Sequence, residues 1–589
     1  MTPAPCCFID EARDARGGGA VDNLDVIERG ALAVDDEVGT GDRSRGPLPT
    51  VTVVASALAL AACGDSGGTS PTASAPTPPP VAIVPLTETQ ASRFLGQATM
   101  GATRTTVDAL VSRGIDGWLT DQFAMTRATS HFDWLVANGY NAAANINSQA
   151  GFDTTMWRQL IVEPDQLRQR MGMALLDMLV VGINGVNTSW QAFAAAAYLD
   201  VLLNNAFGNF RDIMDGITTN VAMGSFLTFL GNRKANTTTG AEPDENYARE
   251  LMQLFTLGLY QLNMDGSVKT SGTGDPLYTY TQADVSGLAR VFTGLTYASS
   301  DNTTPDRLKV PMVMQASINE TGTASFLGTS TSGGGTAAIK VALDTIFNHA
   351  NVPPFVSKQL IQRLVTSNPS AAYVSRVANT FANNGSGVRG DMKAVIRAIL
   401  TDSEARSDTA LTATSSGKLR EPILRLTGWA RAFNVASPAN TWPFGDTSSQ
   451  SSRIGQSPGR SPTVFNFFRP GYSPPATAIS AAGLVAPEFQ ITNEQSVVGY
   501  INYFQSVIAN GSGDAKPDYT AILTKASDSA ALIAEVNTML AAGQLSSATV
   551  TSIKSAIDSV SATATNGPIN RVGIAILLTM ASPDYLTVK

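Results

Sequence analysis

The run Asp244-Glu-Asn-Tyr-Ala-Arg-Glu-Leu-Met-Gln-Leu-Phe-Thr-Leu-Gly258 decides the fold class. Tyr247, Leu251, Leu254 and Phe255 recur at helical spacing on one face, and Gly258 is a stop signal, so the spacing predicts a helix over 245–257. The same period appears on both sides of this run. In 103–113, Val107, Leu110 and Val111 line one face ahead of Gly114. In 162–181, Pro164 fits a first helical turn and the remainder becomes almost wholly apolar, as in a core helix. The stretch 190–204 reads likewise, and Thr281-Gln-Ala-Asp284 reads as a capping box opening a helix to about Phe292.

Further helices are expected at 339–348, 353–366, 370–384, 391–401, 418–433, 492–509, 529–541, 547–561 and 568–580. Strand signals are confined to 277–280 and 308–315, while 296–337 and 436–462 are Gly/Ser/Thr-rich and irregular. The class is therefore mainly α: a large multi-helix globular region over 87–589, with irregular insertions and few short strands. The segment 296–337 marks where two subdomains would divide.

Composition bounds the function. The 589 residues are 43% hydrophobic and 15% charged, which fits a globular chain and neither a disordered nor a multi-span membrane protein. The net charge is −8; residues 1–62 hold ten acids and five bases, a net of −5, which leaves −3 for the rest. No basic stripe is present, which argues against nucleic-acid binding. Cys6, Cys7 and Cys63 all precede the folded region, so a disulfide framework and a thiolate metal site are excluded there. His131 and His349 are the two histidines, too few for a multi-histidine metal site, and no cofactor is expected.

The N-terminal region carries an export signal. Residues 51–62 are apolar over a length that suits a signal peptide but not a bilayer span, Arg43 and Arg45 supply a basic flank, and the run ends Leu60-Ala-Ala-Cys63. That ending looks like a bacterial lipobox, in which the Cys63 sulfur takes the lipid. The segment 38–62 is then the signal peptide, and the acidic, Gly-rich 1–37 is expected to lie outside the mature protein through a misassigned start. Residues 63–86 combine the lipid anchor with a Ser/Thr/Pro tether. The partner on this side is a membrane, reached through the anchor. Gly64 in place of aspartate after the cysteine favours the outer membrane or cell surface over the inner membrane.

Familiar catalytic signatures fail. Gly385-Ser-Gly-Val-Arg-Gly390 matches a dinucleotide fingerprint in letters, but a helix precedes it where a strand is required. His131, in Ser130-His-Phe-Asp133, sits near a helix start, and His349 reads as a helix-end residue. The catalytic candidates are Glu245, Glu250, Asp284 and His131. Glu245 and Arg249 stand at i and i+4 and are placed to pair, and Asn246, Tyr247, Arg249 and Glu250 are candidates for a shared polar network.

Several runs together resemble the DUF1800 family, a bacterial domain of unknown function. They are Ser92-Arg-Phe-Leu-Gly-Gln-Ala-Thr99, the opening run Asp244–Gly258, Tyr280-Thr-Gln-Ala-Asp-Val, Ala289-Arg-Val-Phe-Thr-Gly294, Gly417-Lys-Leu-Arg-Glu-Pro422, Pro462-Thr-Val-Phe-Asn-Phe-Phe-Arg-Pro470 and Ala486-Pro-Glu-Phe-Gln490. The resemblance implies an exported, mostly helical protein with an exported protein partner encoded nearby. Two stretches depart from the pattern: Leu176–Asn184 stands where many members carry a histidine-rich run, and Asn319-Glu-Thr-Gly-Thr-Ala324 replaces a His-x-x-Gly-x-Lys stretch.

The reading that follows is an envelope lipoprotein that binds, or helps export and assemble, a partner protein or polymer. The rivals are a carboxylate-based envelope hydrolase and a surface adhesin or carbohydrate-binding protein. The last would need Trp442, Phe444, Phe467, Phe468 and Tyr472 to line one exposed groove.

Overall fold

The first described helix, Glu88–Ala98, opens with a reciprocal cap: the Thr87 hydroxyl accepts from Gln90 N, and Thr87 N donates to the Gln90 side chain. It belongs to a computed structural model that describes residues 85–589. The segments 1–37 and 38–62, together with Cys63 and most of the linker, lie outside the described residues. Helices carry the described chain, and its strands form three two-stranded antiparallel ladders, so the fold is mainly α.

Ala91, Phe94, Leu95 and Ala98 bury one face of this helix against Arg104–Ala124 and Ser529–Ala541. At Gly114 the chain takes φ 73°, so the stop signal there acts as a kink and helix resumes at once. The centre of the body is Gln191–Asn205, where Phe193, Ala194, Ala196, Tyr198 and Leu202 are buried against Gln166–Leu176, His131–Ala137 and Phe210–Thr218. Alanine on this helix lets neighbours come close. At Gly172 an added Cβ would meet Leu203 Cδ2 at 2.4 Å.

The expected helix over 162–181 is not continuous. Phe152–Val162 ends where it was to begin, Pro164 lies in the link, and the next helix is Gln166–Leu176. Beyond it the chain leaves helix because tertiary partners take its backbone: Arg363 Nη2 donates to Asp177 O at 3.0 Å, and Ile183 N donates to Gly459 O at 2.9 Å. Similarly, the helix expected from 418 starts later, at Pro422. Lys418–Leu419 instead pairs antiparallel with Thr587–Val588, Lys418 opposite Val588.

The irregular excursion 296–337 holds short ladders. Leu295–Thr296 pairs with Val313–Met314, while the hairpin Ala324–Phe326 with Thr329–Thr331 lies on the helix Gln282–Val291. The contact is tight: a Cβ on Gly287 would fall 1.8 Å from Ser325 O. Of the strand expected at 308–315, Val313–Met314 is paired and Pro305–Leu308 is a 3-10 turn. At 277–280 the pairing is an isolated bridge, Tyr260 with Tyr278. It closes an arm, 259–279, in which Gln261, Lys269 and Leu277 are linked in a ring: Lys269 N to Gln261 O, Leu277 N to Lys269 O, and Gln261 N to Leu277 O. Among the described residues no helix is long and apolar enough to cross a membrane.

Candidate functional site

The opening run folds as two unlike turns of helix. Asn246–Glu250 is α-helical, and Leu251–Thr256 follows directly as a π-helix, with Leu257 N donating to Met252 O at 2.8 Å. A π turn is a costly wide coil that recurs at functional sites. Entry is fixed by Asp244, whose carboxylate accepts from Asn246 N at 2.8 Å and from Thr228 Oγ1 at 2.8 Å. Gly258, φ 76°, ends the element as its sequence signal required. Tyr247 anchors it from below: it is buried, its ring stacks on Phe229 at 4.0 Å, and its hydroxyl meets Thr218 Oγ1 at 2.6 Å.

The acidic candidates have different fates. Glu245 is held by Arg249 at 3.0 Å, Gln282 at 2.8 Å and Ser286 at 2.5 Å. Partial burial works to raise its carboxyl, but the hydrogen bonds from Ser286 and Gln282 and the Arg249 charge outweigh it and hold it below its ordinary value. Asp284 is the capping residue its spacing implied: one oxygen accepts from Thr281 N at 2.7 Å, and the other from Leu327 N at 2.6 Å, clamping hairpin to helix. Its carboxyl is likewise depressed, because the bonds from Thr281 and Leu327 outweigh partial burial.

Glu250 is unlike both. It is 8% exposed, and its Oε2 is buried with no hydrogen-bond partner. Burial pushes its carboxyl up to about 7 against the opposing charge of Arg249, so near neutrality it exists in both protonation states. Tyr280 lies alongside, its hydroxyl donating to Gln253 Oε1 at 3.1 Å, and burial pushes that phenol up to about 12. The four residues considered for one polar network therefore divide: Asn246 reaches Thr228, Tyr247 reaches Thr218, Arg249 joins Glu245 and Gln282, and Glu250 Oε2 stands alone.

The histidines belong to other elements. His131 opens the helix His131–Ala137, is buried, and has Nδ1 3.1 Å from Thr155 Oγ1. Burial, with the Arg127 and Arg158 charges, drives its ring well below the ordinary histidine value, so it is neutral. His349 caps the helix Gly335–Asn348. At 385–390 the loop amides are occupied by Asn383 and Asn384, while Asp391 caps the following helix, so the glycines serve turns. Trp442, Phe444 and Phe468 are buried, and Phe467 and Tyr472 are half-buried, so these aromatics do not form an exposed groove.

A second charged centre escaped sequence reasoning. Lys418 Nζ donates to Glu488 Oε1 at 3.0 Å, Glu421 Oε1 at 3.2 Å and Arg363 O at 2.8 Å, which satisfies an ammonium in full, and its side chain is 2% exposed. Gln456 Nε2 donates to Glu421 Oε2 at 3.2 Å, and Asn466 Nδ2 to Asp177 Oδ1 at 2.6 Å. The buried guanidiniums of Arg170 and Arg363 complete the cluster, joined through Arg170 Nη2 to Arg363 O at 2.5 Å. Burial and the Glu421 charge push Asp177 up. Burial also raises Glu488, whereas at Glu421 the Lys418 and Arg170 charges overcome burial and lower it. A small cavity beside Asp177, lined also by Gln456, Ser461 and Asn466, has room for about one water molecule. Lys418 and Glu421 in 417–422 and Glu488 in 486–490 were visible as charged residues, but their convergence is tertiary and leaves no period in the chain.

The two departures noted in the sequence have plain structural roles. Asn319 is buried, donates to Thr293 O at 2.7 Å and accepts from Gly335 N at 2.7 Å, while Ala324 is buried in the hairpin. Leu176, Asp177 and Val181 line the cavity.

What fold and sites define is a mainly α body carrying one carboxyl cluster beside a π turn and one interior ionic centre. The family model described as "Protein of unknown function (DUF1800)" matches residues 93–587, and the chain belongs to that family. No curated protein and no solved structure matches the chain.

Proposed function

We propose that this family member is an exported envelope lipoprotein whose helical body binds an envelope partner and assists its export or assembly. The order of the parts carries the reading. A basic flank, an apolar run and Leu60-Ala-Ala-Cys63 are followed by a Ser/Thr/Pro tether, and the described body opens immediately after that tether at the capped helix Glu88–Ala98. A lipid on Cys63 would hold the body at a membrane surface without a spanning helix. Gly64 favours the outer membrane or cell surface as its place.

Growth with radiolabelled palmitate tests the anchor. Label is expected on the full chain and absent from Cys63→Ala; an unlabelled wild-type chain recovered among cytosolic proteins overturns it. Affinity purification from solubilised membranes tests the partner. The expected result is an exported protein or an envelope polymer recovered with the wild-type chain, and recovery of the bare chain alone sinks that part of the proposal.

A second reading, a carboxylate-based envelope hydrolase, is favoured by the unpaired buried carboxyl of Glu250, which exchanges protons near neutrality. Glu250→Gln should abolish turnover of envelope polymers and leave the melting temperature nearly unchanged. Wild-type protein that turns over none of them removes this reading.

A further inference from the structure

We propose that a cavity between the first described helix and the C-terminal segment binds one compact monovalent anion, of the size of chloride or of a carboxylate group.

The cavity lies where distant parts of the chain meet. Ser92, Arg93 and Gly96 line it from Glu88–Ala98, and Gly428 from Pro422–Ala432. Arg420, Gln544, Tyr585 and Lys589 complete the wall used here. The charge of the lining is one-sided: it contains two arginines and one lysine, and no aspartate or glutamate. The space takes about one or two water molecules, which admits a chloride or a carboxylate group and leaves no room for a tetrahedral phosphate.

Arg420 supplies the free donor. The residue is 8% exposed. Its Nε donates to Tyr585 O at 3.2 Å and its Nη2 to Leu540 O at 3.4 Å, and its guanidinium carbon stands 4.5 Å over the Tyr585 ring centre. Those contacts fix the guanidinium, and among the described residues nothing accepts from Nη1. A guanidinium keeps its charge and has only donors, so what completes it must accept. The Ser92 hydroxyl and the Gln544 amide group, also on the wall, have no partner among the described residues either, and both can donate. Arg93 differs. It spends Nε on Lys589 O at 2.8 Å and Nη1 on Ser407 O at 3.1 Å, so it adds positive charge without a comparable free donor. An anion answers all of these groups, and its hydrogen bond to Arg420 is charge-assisted. A cation would meet Arg93 and Arg420 with no carboxylate side chain on the wall to offset them.

Two glycines keep the space open. Gly96 and Gly428 lie inside helices, where glycine is less stable than alanine. A Cβ on either would meet no atom within 4 Å, so close packing does not require glycine at these positions. A methyl group there would strengthen the helix and narrow the cavity. Stability and anion binding should therefore move in opposite directions in the alanine variants, a signature that a purely structural role for these residues would not give.

The purified full chain is titrated with sodium chloride, read by the chlorine NMR line width, and with sodium acetate, read by saturation transfer to the acetate methyl. Inorganic phosphate is added as competitor. The expected result is saturable binding of chloride or acetate, displaced by the other anion and not by phosphate. Whichever binds more tightly assigns the site to an inorganic ion or to a carboxylate group. Gly96→Ala and Gly428→Ala should each bind about tenfold more weakly by filling the space, while melting at a higher temperature than wild type. Arg420→Gln should lose binding. If Arg420→Gln loses its circular-dichroism signature, the two glycine variants decide. The proposal is overturned if neither anion binds saturably, if phosphate competes as well as they do, or if Gly96→Ala and Gly428→Ala bind as wild type does.

Discussion

Nζ of Lys418 lies 3.0 Å from Oε1 of Glu488, and each side chain is 2% exposed. An ion pair this deep gives up most of its hydration, and its attraction offsets that loss only because Glu421 and Arg363 O supply the remaining acceptors. Removing one partner leaves an uncompensated buried charge. Lys418→Met is therefore expected to destabilise the fold by about 3–5 kcal/mol in chemical denaturation. The double variant Lys418→Met with Glu488→Gln should lose less than the sum of the single variants. Strict additivity would show that the pair is not coupled.

Glu250 gives a pH signature. Its folded value, about 7, lies above the ordinary glutamate value, so between roughly 4.5 and 7 the folded chain binds more protons at this group than the unfolded chain does. Its contribution to stability is then full at low pH and is lost as pH rises through 7. Glu250→Gln should flatten this fall in urea midpoints measured from pH 5 to 8, and should be more stable than wild type at pH 8. Identical slopes in the two proteins would mean that the carboxyl is not raised.

His131 works in the opposite sense. Its ring is held neutral, well below its ordinary value, so below about 6.5 the unfolded chain takes up a proton that the folded chain refuses. Stability from this group is present above that value and falls with acidification. His131→Gln should lessen the loss of stability between pH 6.5 and 5, read by thermal melts. An NMR titration showing His131 protonating near 6.5 in the folded chain would contradict this.

Gly287 has no room for a side chain. An added Cβ meets Ser325 O at 1.8 Å, and the obstacle is backbone, which cannot swing aside. Gly287→Ala should cost at least about 1–3 kcal/mol and loosen the hairpin Ala324–Phe326 with Thr329–Thr331, visible as faster amide exchange there. Unchanged exchange in the hairpin would show that the contact is looser than drawn.

Local signals in the chain proved readable where neighbours in sequence settle the outcome. The capping box at Thr281 and Asp284 and the stop at Gly258 stand in the fold, whereas the stop expected at Gly114 is a kink within Arg104–Ala124. Pro164 misled because its fixed φ suits a first helical turn equally well as a link, and tertiary bonds to Asp177 O and Ile183 N ended the following helix early. The π coil after Glu250 has the same apolar spacing as an α-helix, so the pattern of Tyr247, Leu251 and Phe255 could not distinguish them. Glu245, Glu250 and Asp284 were visible as acids, but their different environments come from Gln282, Ser286 and Leu327, contributed by other parts of the chain. The Lys418 centre depends on Asp177, Arg363 and Glu488 arriving from separate segments, which no window of sequence contains.

The ladder of Thr587–Val588 on Lys418–Leu419 bears on timing as well as on architecture. A Cβ on Gly417 would stand 2.5 Å from Val588 O, so the two segments close with almost no clearance. Contacts between such distant stretches form late, since a long intervening loop must first be ordered. The ladder is thus a clasp: it fastens the segment leading into Pro422–Ala432 to the last described strand.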